Sequence, residues 1–138
     1  MISDFTLIDQ IEIPSELKNL GLVEQFIDKV CESKGLDEDV YGNVLIAVTE
    51  AVNNAIIHGN CFANDKKVKV DVLETANQIC FSVMDEGVGF DFHNLPDPTA
   101  PENIEKENGR GIFLIKNLSD EMSFDEPGNV IHIFFNHD

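Results

Sequence analysis

The sequence predicts an α+β fold: a two-layer α/β sandwich, with a mostly antiparallel sheet and helices on one face. Three observations carry this prediction. Leu17, Leu20, Val23, Phe26, Ile27 and Val30 recur at helical spacing, and a second long apolar stretch runs up to Gly59. Residues 66–73 set Val68, Val70 and Val72 against polar neighbours, and residues 78–84 alternate for most of their length, so the two read as paired strands. Residues 121–125 and 130–135 form a last alternating pair around Glu126, Pro127, Gly128 and Asn129, a turn composition.

Taken in order, residues 5–13 alternate in part and read as an edge strand. Pro14, Ser15 and Glu16 look like a helix start with Ser15 as the candidate N-cap, and Gly35 ends that helix. Asp37 is placed to cap the next helix, which ends near Gly59. Asn77 begins the hairpin partner of the 66–73 strand, and this partner reads as half-buried and ends at Asp85. Residues 91–108 hold three prolines and many polar residues, and so long a connection suggests a lid or a plain loop. A helix over 111–119 follows. The whole chain, 1–138, reads as one domain without repeat or linker.

Composition excludes several classes. At 138 residues and 43% hydrophobic, the chain can bury a real core. No apolar run reaches the roughly 18 residues of a membrane span, and no signal peptide is evident, so no membrane is expected. Cys31, Cys61 and Cys80 are odd in number and fit no zinc spacing; each reads as buried and inert, in a reducing, cytoplasmic setting. The formal charge of −17 argues against nucleic acid. It also repels ATP at long range, so any nucleotide must be held by local donors and a cation. A protein partner with a basic patch would be steered in, and solubility explains the charge equally well.

Three segments carry chemistry. From Val40 to Asn60 the only charged residue is Glu50. On a helix Glu50, Asn54 and His58 share one face, while Leu45, Val48, Val52, Ala55 and Ile56 face elsewhere. An amide oxygen at Asn54 suits Mg²⁺, and Glu50 one turn away could take a proton from a hydroxyl attacking a phosphate; a solvated surface pair gives the same pattern. Asp85, after a strand, can accept from an exocyclic amine such as that of adenine, and Gly87 and Gly89 permit positive φ and close approach; a plain turn gives that pattern too. Gly109 and Gly111 open a helix whose backbone N–H groups can meet phosphate. Between them Arg110, the single arginine, suits either phosphate or solvent.

In this order, Glu50-x-x-x-Asn54, Asp85-x-Gly87-x-Gly89 and Gly109-x-Gly111 resemble the N box and the two glycine boxes of the histidine-kinase-like ATPases, the superfamily of gyrase and sensor kinases. The run from Glu50 to Gly59 is most similar to the anti-sigma-factor serine kinases. The resemblance covers nearly the whole chain and implies the Bergerat ATP-binding fold, with ATP and Mg²⁺ as cofactors. It implies Glu50 as general base, Asn54 as Mg²⁺ ligand and Asp85 as reader of adenine. Gly87 and Gly89 then form the turn beneath the nucleotide, and Gly109 and Gly111 close the lid beside the phosphates, with Arg110 between them. It implies a serine/threonine protein kinase acting on a STAS-fold antagonist, a possible sigma-factor partner and a possible homodimer. The alternative is a non-catalytic binding module gated by nucleotide. One departure stands out: many relatives carry threonine after a glycine at the start of the last strand, where this chain has Gly128 and then Asn129. A sensor histidine kinase fits poorly, because His58 lies inside the first box and no dimerisation helix with a phosphoacceptor precedes it.

Overall fold

The computed structural model describes residues 4–63, 65–89 and 107–137, with backbone only for 107–110. The chain runs β1 (Thr6–Pro14), a 3₁₀ turn (Leu17–Asn19), α1 (Leu20–Lys34), α2 (Glu38–Asn54) and a π-helical turn (Ala55–Gly59). It continues with β2 (Lys67–Glu74), β3 (Gln78–Met84), α3 (Glu107–Leu118), β4 (Glu121–Asp125) and β5 (Val130–Asn136). The strands form one sheet in the order β1-β2-β3-β5-β4, and every pairing is antiparallel.

Register sets the two faces. Val70 pairs with Val83, Val72 with Phe81, and Phe81 with Ile133. These side chains share one face because strand residues alternate. They form a single core with Val23 and Ile27 of α1, Val44, Val48 and Val52 of α2, and Ile112 and Ile115 of α3. The α+β sandwich with helices on one face is therefore what the chain forms. Phe81 and Phe135 are fully buried edge-to-face neighbours with centroids 6.2 Å apart; truncating a phenylalanine so placed costs about 3–5 kcal/mol.

The other face departs from the half-buried expectation for residues 78–84. Cys80 and Ser82 are buried as well as Ile79, Phe81 and Val83. Ser82 Oγ lies 2.6 Å from His132 Nδ1, and His132 Nε2 lies 2.9 Å from Asp125 Oδ2. This chain of contacts across β3, β5 and β4, ending on the exposed Asp125, is why Ser82 and His132 tolerate burial. Burial also pushes the Cys80 and Cys31 thiols up to about 11, so both are inert as expected. Cys61 is the exception: it is exposed, on a residue with φ of 51° just past the π turn.

Helix ends follow local chemistry, with one correction. Asp37 caps α2 by accepting from Val40 N–H at 2.9 Å. Gly35 ends α1 in the left-handed region at φ 64°. Ser15 is no cap: its N–H is tied to Lys66 O at 3.1 Å, its side chain is buried, and Glu16 stands at the helix start. β1 runs one residue past Ile13 and draws Ser15 into the sheet margin. The run Glu38–Gly59, 22 residues with an 18-residue window of mean hydropathy 1.3, is long and apolar enough to cross a membrane. The sequence reading found no such segment. Here it is the central helix of the core, with Val44, Ala47, Val48, Ala51 and Val52 buried. Of the expected 91–108 connection, Glu107 and Asn108 belong to α3; the rest, and the lid reading with it, lies outside the described residues.

Candidate nucleotide site

Asp85 follows β3 directly, where the sheet hands the chain to a glycine turn. Its N–H donates to Asn129 O at 3.0 Å, and its Oδ1 accepts from Gly87 N–H at 2.7 Å. Burial raises the Asp85 carboxyl above the ordinary carboxylate value; the Gly87 N–H and the charge of Lys66 pull the other way. The turn is wedged against the end of α2. A Cβ at Gly59 would overlap the Asp85 carboxylate, and one at Gly87 would overlap the Gly59 carbonyl. Close approach is thus what Gly87 supplies. Positive φ belongs to Gly89, at 87°, where a Cβ would also overlap the Pro127 carbonyl.

The second cluster lies across the cavity. On α2, Glu50 and Asn54 sit one turn apart and face α3, as the spacing of four predicts. A Cβ at Gly111 would fall 2.5 Å from Glu50 Oε2 and 2.8 Å from Asn54 Nδ2, so α3 rests on this polar pair through bare backbone. Asn54 Nδ2 is buried and has no hydrogen-bond partner among the described residues. A buried amide in that state is costly unless something else satisfies it. Gly109 and Arg110 lie on the first turns of α3 rather than before it, since the described helix begins at Glu107.

Between the clusters is a cavity of about 120 Å³. Ala51, Ala55, Val83, Ile112, Ile115 and Ile131 give it apolar walls; Asn54, His58, Asp85 and Asn129 are its polar points. Glu50 is set off from this lining, against Gly111. His58 lies in the π turn of residues 55–59, lines the same cavity as Asn54 and is exposed at its rim. Asn129, the residue after Gly128 at that departure, ties the Asp85 turn: its Nδ2 donates to Gly87 O at 3.3 Å and its carbonyl accepts from Asp85 N–H. Among the described residues no group of three or more His, Cys, Asp or Glu side chains could hold a metal ion. A cation here would have to draw on Asn54, phosphate and water, a donor set that suits Mg²⁺.

The profile of the histidine kinase-like ATPase domain matches residues 13–135. The chain belongs to this family. Membership implies ATP binding, and the family fold agrees with the sheet and helices found here. Among curated proteins, the serine-protein kinase RsbW of Staphylococcus aureus is 30% identical over 132 residues, covering 88% of this chain and 82% of that protein. RsbW of Bacillus cereus is 29% identical over 126 residues, covering 82% of this chain and 74% of its own. RsbW of Bacillus anthracis has the same identity and coverage. The histidine kinase-like resemblance of the chain is thereby borne out, and the relatives are named serine-protein kinases, the type the first box suggested.

Sequence reasoning did not single out Gly59 or Asn60 for a role. Gly59 was visible as the end of a helix and of the Glu50–Gly59 run, and its contact with Asp85 needs two segments 26 positions apart to meet. Asn60 is buried and joins the α2 end to the Asp85 turn. A lone asparagine after a glycine carries no such signal by itself.

Proposed function

We propose that this protein is an ATP-dependent serine/threonine protein kinase of the anti-sigma-factor type. Its substrate is a serine on a small STAS-fold antagonist, and its binding partner is a sigma factor. The observation that carries the reading is the contact of Gly111 with Glu50 and Asn54, because it brings a carboxylate and a buried, unsatisfied amide to the N-terminal part of a helix. The kinase names of the relatives support it.

In this reading Asp85 accepts from the exocyclic amine of adenine, and the apolar walls sandwich the base. Gly87 and Gly89 keep the turn free of side chains beneath the nucleotide. Asn54 holds Mg²⁺, which when bound neutralises phosphate charge. Gly109, Arg110 and Gly111 face the phosphates, the glycines through backbone N–H groups near the positive end of α3. Glu50, set off from the base cavity, accepts the proton of the serine hydroxyl as that oxygen attacks the γ-phosphorus and ADP leaves. Placing donors locally suits a chain of net charge −17, whose overall field opposes an anionic ligand.

The test is to mix the purified protein, Mg-ATP and candidate STAS proteins, and to search for phosphoserine by mass spectrometry. Transfer to one of them supports the kinase. Mg-ATP binding that alters partner affinity, with no phosphoserine on any of them, supports a nucleotide-gated binding module instead.

A further inference from the structure

Asn60 is a polar side chain only 1% exposed, and both ends of its amide are engaged. Its Nδ2 donates to Lys67 O at 3.0 Å, and its Oδ1 accepts from Glu86 N–H at 2.8 Å. The Glu86 carboxylate in turn accepts from Lys67 N–H. Asn60 thus clamps the start of β2 to the turn that carries Asp85.

The clamp depends on the π turn. Asn60 N–H bonds to Ala55 O at 2.8 Å, five residues back. A π register adds a residue to the helical turn and is concentrated at functional sites. Here it delivers Gly59 against the Asp85 carboxylate and Asn60 against Glu86. The Asp85–Gly87 turn is held from the opposite side by Asn129, through Asp85 N–H at 3.0 Å and Gly87 O at 3.3 Å. Asn60 is the hold that comes from α2, the helix bearing Glu50 and Asn54.

We infer that Asn60 is a positioning residue: it fixes the Asp85 carboxylate relative to the Glu50–Asn54 face, and so sets the preference of the site for a purine that bears an exocyclic amine over one that bears a carbonyl there. The inference rests on the adenine-pocket reading given above. A carboxylate discriminates an amine from a carbonyl only while it is aimed at it, because the hydrogen bond weakens steeply off axis. Releasing Glu86 N–H frees the turn on the α2 side and lets the carboxylate swing from the base.

The experiment uses the full chain as parent, Asn60→Ala, Asn60→Asp and Asp85→Asn. Calorimetry gives the affinity of each for ATP and for inosine triphosphate, which carries a carbonyl in place of the amine. Thermal melting without nucleotide reports the fold. The parent prefers ATP, and Asn60→Ala loses roughly tenfold of that preference, about the worth of one aimed hydrogen bond to a charged acceptor. Asn60→Asp keeps an acceptor for Glu86 N–H but no donor for the Lys67 carbonyl. It melts lower than the parent yet retains most of the preference. If Asn60→Ala does not fold, Asn60→Ser takes its place with the same expectation, its hydroxyl being too short to bridge both strands. A folded Asn60→Ala or Asn60→Ser variant that melts lower with the parental preference intact overturns the inference and leaves Asn60 a structural amide. A parent blind to the amine, or an Asp85→Asn variant with the preference unchanged, overturns the adenine-pocket reading and the inference with it.

Discussion

Asp85→Asn separates the binding role of this side chain from its effect on the fold. The carboxylate has two acceptor oxygens. One accepts from Gly87 N–H at 2.7 Å, and in the proposed complex the other accepts from the adenine amine. An amide of the same shape has one acceptor, so either the turn or the base must face an N–H group. Losing a hydrogen bond to a charged acceptor costs about 1.5–3 kcal/mol, which is roughly a 10- to 100-fold loss of ATP affinity. The fold should respond in the opposite sense. Burial raises the folded carboxyl above its unfolded value. Below the unfolded value, near pH 4, the group is neutral in both states and exacts nothing. As pH rises through the folded value, stability is lost, and the loss is complete above it. Asp85→Asn is neutral throughout, so at pH 7 it should melt no lower than the parent, and any gain should shrink as pH falls into the carboxylate range. Calorimetry with Mg-ATP and melting curves at both ends of that range test the two halves. Unchanged ATP affinity would refute the pocket assignment. A variant that melts below the parent at pH 7, with the deficit closing on acidification, would refute the burial argument.

Glu50→Ala should still bind Mg-ATP, while phosphotransfer to the STAS partner falls by about 10²–10⁴-fold, the usual worth of a general base; single-turnover transfer rates read this, and equal rates would remove Glu50 from the mechanism. Asn54→Ala should bind ATP equally with Mg²⁺ or EDTA, and a parental Mg²⁺ dependence in calorimetry would exclude Asn54 as the ligand. Gly111→Ala puts a methyl 2.5 Å from Glu50 Oε2 and 2.8 Å from Asn54 Nδ2, so α3 must shift. Nucleotide should then protect the variant far less against thermal unfolding than it protects the parent, and equal protection would show that α3 does not rest on this pair when ligand is bound.

Much of the fold was legible because it is written in local periods. The alternation of Val68, Val70 and Val72 needed only the pleat, and Asp37 and Gly35 needed only the chemistry of helix ends. Two local readings went astray where tertiary contact outweighed propensity. Ser15 has the chemistry of a cap, but pairing of β1 with β2 carries its backbone to Lys66. Ser82 has the polarity of an exposed strand position, but His132, itself held by Asp125, reaches it from the neighbouring strand and makes burial tolerable.

The candidate site divides in the same way. Spacing alone put Glu50 and Asn54 on one helical face, because residues four apart must lie there. It also brought Asp85 and its glycines to the end of a strand, because the apolar alternation stops there. Sequence could not say that Gly111 would lie on Glu50 and Asn54, that Gly59 would make room for Asp85, or that Asn60 would hold Glu86. Those contacts join segments far apart in the chain. They depend on the register of the sheet, on the π turn that ends α2, and on a core that seats α3 against α2. Local sequence determined the kind of element and the chemical groups each presents; close packing in three dimensions decided which of those groups meet.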